Sequence, residues 1–294
     1  PDLILILGDR YEIMCAAMAA TISRIPIAHL HGGEATEGLI DEPIRHSVTK
    51  MSHLHFVAAE EYRKRVIQLG ENPERVFRVG GLGIDNILKL DLLSKQELEN
   101  SLDLNLSAKS MLVTFHPVTL ESNTSGVQMR ELLNSLSEFK DHKIIFTMPN
   151  ADTDGREIFK LIQSFCMDYH NCRAFTSLGQ LRYLSCLKYV NLVVGNSSSG
   201  LLEVPSFNIP TVNIGDRQKG RLKADSVIDC NPEERQITAS INKAISAEFK
   251  KSCKLAKNPY GEGGASEIIL QKLEKVDFRT LLKKEFFDIQ NLDI

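Results

Sequence analysis

Acidic and basic side chains are concentrated in two short segments near the start of the chain, each directly after an apolar run. Gly8-Asp9-Arg10 follows the apolar residues 3–7, and a longer segment, residues 31–46, follows the apolar residues 25–30. Carboxylates beside imidazoles can take a proton from a substrate and return it. The candidate acid–base residues are Asp9, His31, Glu34, Asp41, Glu42 and His46.

These residues also have simpler interpretations. Asp41 could cap the helix that follows it, and Glu42 and His46, four residues apart, could form an ordinary pair on a helix surface. A catalytic site is favoured because acidic groups follow two consecutive apolar runs. If these runs are adjacent parallel strands, both acidic segments lie beside the carboxyl ends of the strands, where α/β sheets bind ligands.

The second half of the chain carries groups suited to an anion. Residues 195–200, Gly-Asn-Ser-Ser-Ser-Gly, follow an apolar run and precede a predicted helix, so free amides and small hydroxyls could hold a phosphate. An ordinary turn with a capping serine is the alternative. Glu203 could bind both ribose hydroxyls. Together these strand-end loops predict a nucleoside diphosphate site formed by His116, Asn150, Ser197, Ser198, Ser199, Glu203 and Arg217.

The motifs of several other sites are missing. Neither the G-x-G-x-x-G fingerprint after a first strand nor the P-loop lysine pattern is present, which argues against a hydride cofactor and a P-loop. His29 and His31 alternate along a predicted strand and should face opposite sides of the sheet, as should His53 and His55. We therefore expect no metal site and no cofactor.

Composition limits the partners. The 294 residues carry a net charge of −3, which gives no basic field for nucleic acid or an anionic membrane. No apolar run approaches the roughly 20 residues of a membrane helix. The six cysteines contain no C-x-x-C pair, so we expect reduced thiols and a cytoplasmic protein.

Apolar runs alternate with helical patterns throughout, which predicts α/β architecture with parallel sheets and right-handed crossovers. The first run is interpreted as a strand buried on both faces, and residues 89–110 as a polar connection. The predicted domains are residues 1–92, which are Rossmann-like with catalytic loops, and 93–275, which are Rossmann-like and bind the nucleoside diphosphate. A helical tail, 276–294, should pack back on the first domain.

As a set, these motifs resemble the hydrolysing UDP-N-acetylglucosamine 2-epimerases of sialic-acid and related nonulosonate biosynthesis. The motifs that carry the resemblance are Gly8-Asp9-Arg10, His31-Gly32-Gly33-Glu34, Asp41-Glu42, Ile44-Arg45-His46-Ser47, His116-Pro117, Pro149-Asn150, Gly195-Asn196-Ser197-Ser198-Ser199-Gly200 and Gly215-Asp216-Arg217-Gln218. The resemblance implies a GT-B-like fold, in which two Rossmann-like domains face a cleft and the second holds most of the UDP. It also implies homodimers or homotetramers.

The reaction implied by the resemblance converts UDP-N-acetylglucosamine and water to UDP and N-acetylmannosamine through a glycal. Asp9 and Asp41 match positions implicated in proton transfer, with Glu34, Glu42 and His46 as supports. The positions that match UDP contacts are Arg10, His116, Asn150, Ser197, Ser198, Glu203 and Arg217.

The sequence departs from the family pattern in two places. Some members carry glutamate where this chain has His31, so either His31 or Glu34 takes that acid–base role. Members also begin with a strand and an arginine-bearing loop, and nothing before Pro1 supplies them. We expect an incomplete first domain and poor activity, which a chain restored at its amino end would test.

Four alternatives remain open. A close variant acts on a UDP-2,4-diacetamido-2,4,6-trideoxyhexose of the legionaminic acid route, with residues 35–39 shaping the sugar end of the pocket. A non-hydrolysing epimerase would keep UDP on the product, and a glycosyltransferase would need an acceptor. A nucleotide-sugar sensor would bind UDP without turnover.

Overall fold

The computed structural model describes residues 1–106, 109–118, 120, 124–149 and 155–289. The chain divides into two compact units. Unit 1 comprises Pro1–Thr36, Ile40–Leu88 and Tyr260–Ile294, and unit 2 comprises Glu37–Leu39 and Lys89–Pro259. Residues 260–275, which the sequence prediction placed in the second domain, therefore lie in unit 1. Among the described helices, none combines the length and the apolar character needed to cross a bilayer.

Unit 1 is built on a parallel sheet of four strands in the order β1-β2-β3-β4. Each strand is followed by a helix, as the alternation of apolar runs predicted. The strands are β1 Ile4–Leu7, β2 Ile27–Leu30, β3 Leu54–Val57 and β4 Val76–Arg78. The helices are α1 Tyr11–Ile22, α2 Asp41–Met51, α3 Glu60–Gln68 and α4 Leu82–Lys89.

Burial in this sheet follows strand position. β2 and β3 are fully buried, as expected for parallel strands with helices on both faces. β1 was predicted to be buried on both faces, and this is wrong: Leu5 is 52% exposed and Leu7 is 54% exposed. β1 lies at an edge of the described sheet, so its side chains have fewer neighbours than those of β2.

Unit 2 contains a parallel sheet of six strands in the order β10-β9-β8-β5-β6-β7. The order reverses between β5 and β8, which pair directly from Met111↔Leu192 to Thr114↔Gly195. Strands are β5 Ser110–Thr114, β6 Lys143–Thr147, β7 Cys172–Phe175, β8 Leu192–Gly195, β9 Thr211–Ile214 and β10 Val227–Cys230. Helices are α5 Lys95–Leu102, α6 Ser125–Ser137, α7 Gly155–Asp168, α8 Gly179–Tyr189, α9 Ser199–Leu202, α10 Glu234–Ile245 and α11 Ala247–Cys253.

The polar segment interpreted as a connection contains an ordered helix. Ser94 accepts a hydrogen bond from the Glu97 amide, and the Glu97 carboxylate accepts one from the Ser94 amide. This capping box fixes the start of α5. Leu98 and Leu102 are buried on its inner face, so the helix is part of unit 2.

The carboxyl-terminal tail, which was predicted to be helical, contains only a short turn within its described part. Helix α12, Ala265–Leu273, ends early, and a 3-10 turn follows at Phe278–Thr280. The Asp277 side chain accepts from the Arg279 amide, which favours the start of a new turn over continuation of the helix. The remaining described tail lies on unit 1, where Leu281 is buried in the core.

Candidate functional site

The two acidic segments of unit 1 lie at the same edge of its sheet. β1 and β2 are parallel neighbours with Leu7 opposite Leu30, and the Gly8 amide donates to the Leu30 carbonyl at 3.3 Å. The carboxyl ends of both strands therefore meet, as the argument from adjacent strands requires.

A buried arginine on α2 connects these segments. Arg45 Nε donates to Asp9 Oδ2 at 2.8 Å, and Arg45 Nη2 contacts the same oxygen. Arg45 Nη1 contacts Glu42 and donates to the Glu34 carbonyl at 3.0 Å. The Thr36 hydroxyl accepts from Nη2 at 2.6 Å. The five N–H groups of the guanidinium are therefore all used, and two carboxylates are held by one cation.

Glu42 is the centre of a second set of contacts. Its Oε2 accepts from the Thr36 amide at 2.5 Å, and its Oε1 lies 3.1 Å from His46 Nε2. Burial alone would raise the pKa of Glu42, but the Thr36 amide and the Arg45 charge outweigh it and lower that pKa. The carboxylate is thus ionised at neutral pH. The buried Nδ1 of His46 has no hydrogen-bond partner within the described ranges.

His31 and Glu34, the two alternatives for one acid–base role, contact each other. His31 Nδ1 lies 2.9 Å from Glu34 Oε1, and the Leu82 amide donates to His31 Nε2 at 3.4 Å. His31 therefore donates through Nδ1 to the buried carboxylate of Glu34. The predicted alternation of His29 and His31 along a strand is wrong, because β2 ends at Leu30 and His31 has a left-handed φ of +64°.

His29 has a structural contact that the sequence analysis missed. It is fully buried, its Nε2 donates to the Gly8 carbonyl at 2.9 Å, and its Nδ1 accepts from the Thr49 hydroxyl at 3.2 Å. Burial lowers the pKa of His29 to about 3, so the ring is neutral. It fixes the backbone immediately before Asp9.

Two other predicted residues lie at helix starts in unit 1. Asp41 is the first residue of α2 and is half-buried, and Arg45 contacts Glu42 rather than Asp41. The N-cap residue of α2 is Ile40, and Asp41 lies in the first turn of the helix. Arg10 is the exposed N-cap residue of α1, where its Nε lies 3.4 Å from Glu12.

In unit 2, the Asn196 side chain joins two strand-end loops. Asn196 Oδ1 accepts from the His116 amide at 2.7 Å, and Asn196 Nδ2 donates to the His116 carbonyl at 2.8 Å. The Asn196 carbonyl accepts from Gln218 Nε2 at 2.9 Å and from Arg217 Nη1 at 3.2 Å. The loops after β5, β8 and β9 are thereby held together. The sequence analysis named the neighbouring serines and missed Asn196.

Gly195 allows this close approach. Its φ is +134°, and a Cβ at this position would lie 1.9 Å from the Thr114 carbonyl oxygen of the neighbouring strand. A side chain is excluded by both the conformation and the contact.

The serine turn that follows, residues 197–199, is half-buried. Ser198 occupies the N-cap position of α9 but makes no side-chain capping hydrogen bond, so the capping alternative is wrong for this serine. Ser199 accepts from the hydroxyl of Tyr183 at 2.6 Å. Glu203, also half-buried, is the C-cap residue of α9.

A cavity of about 390 Å³ opens beside these loops, at the carboxyl ends of β5, β6 and β7. His116 lies in the wall of this cavity. Burial is the main cause and the charge of Arg217 the second cause that lower the pKa of His116 to about 3. None of the other lining residues was among the predicted site residues; they are Thr114, Thr147, Met148, Thr176, Ser177, Leu178, Gly179, Gln180 and Tyr183. Asn150, a predicted site residue, lies outside the described residues.

Two parallel-sheet α/β units with polar strand-end loops define the class of GT-B-like α/β enzymes. Residues 1–274 match the family model of UDP-N-acetylglucosamine 2-epimerase, and the chain belongs to this family.

Relatives support this assignment. The chain is 46% identical over 291 residues to polysialic acid biosynthesis protein P7 of Escherichia coli, covering 98% of this chain and 74% of the relative. It is 43% identical over 291 residues to GDP/UDP-N,N'-diacetylbacillosamine 2-epimerase (hydrolyzing) of Campylobacter jejuni, covering 98% and 75%. The crystal structure of UDP-GlcNAc 2-epimerase from Neisseria meningitidis bound to UDP-GlcNAc has the same fold, with a TM-score of 0.82 and 21% identity over 94% of this chain and 77% of that one.

Proposed function

We propose that this protein is a hydrolysing 2-epimerase that converts UDP-N-acetylglucosamine and water to UDP and N-acetylmannosamine. The observation that carries the proposal is the pair of carboxylates, Asp9 and Glu42, held by one buried arginine. Family membership and the 46% identity to a polysialic acid biosynthesis protein support the substrate, since sialic acids are built from N-acetylmannosamine.

The chemistry requires a base and stabilisation of a leaving group. The C1–O bond breaks as UDP departs with its electron pair, and the C2 proton is removed to leave a C1–C2 double bond. Water then adds its hydroxyl to C1, and C2 receives a proton on the opposite face. Because the C2 hydrogen is weakly acidic, a positioned carboxylate must act together with charge development at C1.

Unit 1 supplies the proton-transfer groups in this proposal. Asp9 Oδ2 is held by Arg45, whereas Oδ1 has no hydrogen-bond partner in the described part of the chain, and the side chain is 22% exposed. This oxygen can accept a proton. The Glu42–His46 pair is the second acid–base group, and Asp41 and the His31–Glu34 pair support them.

Unit 2 supplies the nucleotide contacts. Ser197, Ser198 and Ser199 offer hydroxyls and amides to the diphosphate, and Arg217 offers a cation. Neutral His116 lines the cavity without adding charge, and Glu203 accepts the ribose hydroxyls. The remaining proposed UDP contacts are Arg10 and Asn150.

A second candidate substrate is the UDP-linked 2,4-diacetamido-2,4,6-trideoxyhexose. It is favoured by the names of the Campylobacter relative and of UDP-N,N'-diacetylbacillosamine 2-epimerase (hydrolyzing) from Legionella pneumophila, which is 36% identical over 276 residues, covering 94% of this chain and 71% of the relative. Either substrate fits a cytoplasmic homo-oligomer, the setting that we propose.

The test is proton NMR in deuterated water with each sugar nucleotide supplied separately. We expect free UDP and N-acetylmannosamine with deuterium at C2, formed faster from UDP-N-acetylglucosamine than from the diacetamido sugar nucleotide. An Asp9→Asn variant, which retains the size of the side chain but not its basicity, serves as the matched control and should form product about 100- to 10,000-fold more slowly.

Each other outcome identifies an alternative. Faster turnover of the diacetamido sugar nucleotide would reverse the order of the two substrates. UDP-N-acetylmannosamine with UDP still attached would indicate a non-hydrolysing epimerase, and UDP binding with no turnover would contradict an enzymatic role.

A further inference from the structure

Arg45 makes a set of contacts that differs from an ordinary surface ion pair. Its side chain is fully buried, and its acceptors come from three separate segments: the loop after β1, the loop after β2 and α2 itself. A buried charge is expensive to desolvate, so an arginine with five satisfied donors indicates a defined geometric task.

The geometry points to Arg45 as the positioning residue that orients Asp9 and Glu42 for proton transfer. We propose that it acts by occupying one oxygen of Asp9 and so directing the other toward the substrate. This inference rests on the proposed function, since it assigns a role in that same reaction.

The distribution of contacts on Asp9 supports this role. Nε and Nη2 of Arg45 both bind Oδ2, which fixes the rotation of the carboxylate and leaves Oδ1 without a hydrogen bond to the described residues. Because the carboxylate is already held in one orientation before the reaction, no further entropy is lost in orienting it for proton transfer.

The Thr36 hydroxyl extends the arrangement to Glu42. It accepts from Arg45 Nη2 at 2.6 Å and donates to Glu42 Oε2 at 3.3 Å. Thr36 therefore couples the guanidinium to the second carboxylate, and its own amide binds the same Glu42 oxygen at 2.5 Å.

The first test is Arg45→Lys, which keeps the positive charge but cannot present the two donors, Nε and Nη2, that hold Asp9 Oδ2. We expect kcat to fall by about 100-fold with KM for the UDP-sugar within about threefold, because misplacement of a reacting group affects the chemical step. The matched control is Arg63→Lys on α3, whose arginine donates to the Val76 and Pro73 carbonyls, and its kcat should stay near the wild-type value.

A double variant separates positioning from a general structural effect. If Arg45 acts through Asp9, adding Arg45→Lys to Asp9→Asn should reduce residual C2 deuterium exchange by less than about threefold beyond Asp9→Asn alone. Independent, multiplicative losses would contradict the inference.

Thr36 provides a second route if Arg45→Lys does not fold. Thr36→Val preserves the shape but removes the hydroxyl, and kcat should fall by about tenfold at constant KM, whereas Thr36→Ser should restore it. If the wild-type protein turns over the substrate and folded Arg45→Lys or Thr36→Val has the same kcat, the positioning role of Arg45 is contradicted, whereas the proposed function is not. Absence of wild-type turnover would instead contradict the proposed function.

Discussion

At the scale of single residues, two buried polar side chains organise the two units: Arg45 in unit 1 and Asn196 in unit 2. Each satisfies backbone or carboxylate groups from segments far apart in sequence. Buried polar groups stabilise a defined geometry only when their partners are all present, so removal of either side chain leaves unsatisfied groups.

For Asn196→Ala we expect the free energy of unfolding to fall by about 2–4 kcal/mol, because the His116 amide and carbonyl both lose their buried partner. Loss of loop alignment should also weaken UDP binding by about tenfold in the proposed site. Urea unfolding and titration calorimetry with UDP measure the two effects. Asn231→Ala, at an exposed position, is the control. Unchanged UDP affinity would show that this loop does not bind the nucleotide.

At the scale of elements, a buried ionic cluster attaches the carboxyl-terminal tail to unit 1. Glu71 accepts from Lys50 at 2.6 Å, from His55 at 2.9 Å and from Lys284 at 2.9 Å. Lys284 also donates to the Lys50 and Ser52 carbonyls. Burial would raise the pKa of Glu71, but the hydrogen bond from His55 and the two lysines lower it to about 2, so the cluster keeps its charge.

We predict that Glu71→Gln lowers the free energy of unfolding by about 1–3 kcal/mol, since the half-buried Lys284 loses its counter-ion. The tail should then detach more often, and chymotrypsin should cleave at Phe286 and Phe287 sooner than in the wild type. Urea unfolding and timed digestion test this. Glu285→Gln, an exposed change in the same segment, should alter neither result. Equal digestion rates for both variants would contradict an anchoring role for Glu71.

At the scale of the whole molecule, both units contain histidines that are kept neutral. Burial lowers the pKa of His29 to about 3 and of His53 to about 4 in unit 1, and that of His116 to about 3 in unit 2. The unfolded chain binds protons at these positions near pH 6.5, whereas the native state does not. The stabilisation that these neutral histidines contribute is therefore fully present above pH 6.5. It is lost progressively as the pH falls toward 3–4.

The slope of this loss should be about 1.4 kcal/mol per pH unit for each buried histidine. Urea unfolding at pH 7, 6 and 5 measures it, and His29→Gln should reduce the slope by about the contribution of one proton. Gln163→Ala, at an exposed position without a titratable group, should leave the slope unchanged. Stability that is constant between pH 7 and 5 would contradict the neutral assignments.

The sequence by itself determined the alternation of strand and helix, because buried parallel strands require continuous apolar runs. The alternation is present in both units, where β2 Ile27–Leu30 is followed by α2 Asp41–Met51 and β8 Leu192–Gly195 by α9 Ser199–Leu202. The sequence also indicated that polar residues follow strands in both halves. It did not predict α4, nor that α12 ends at Leu273 before a separate turn at Phe278–Thr280.

Only the tertiary structure decided which polar groups meet. Arg45 and Asp9 are 36 positions apart, Asn196 and His116 are 80 apart, and Lys284 and Glu71 are 213 apart. No local spacing encodes such pairs, because each depends on the order of strands in a sheet and on the packing of distant segments. The contact between Glu42 and Arg45 is local, since the two residues lie three positions apart on α2, whereas only the fold brought Asp9 to the same arginine.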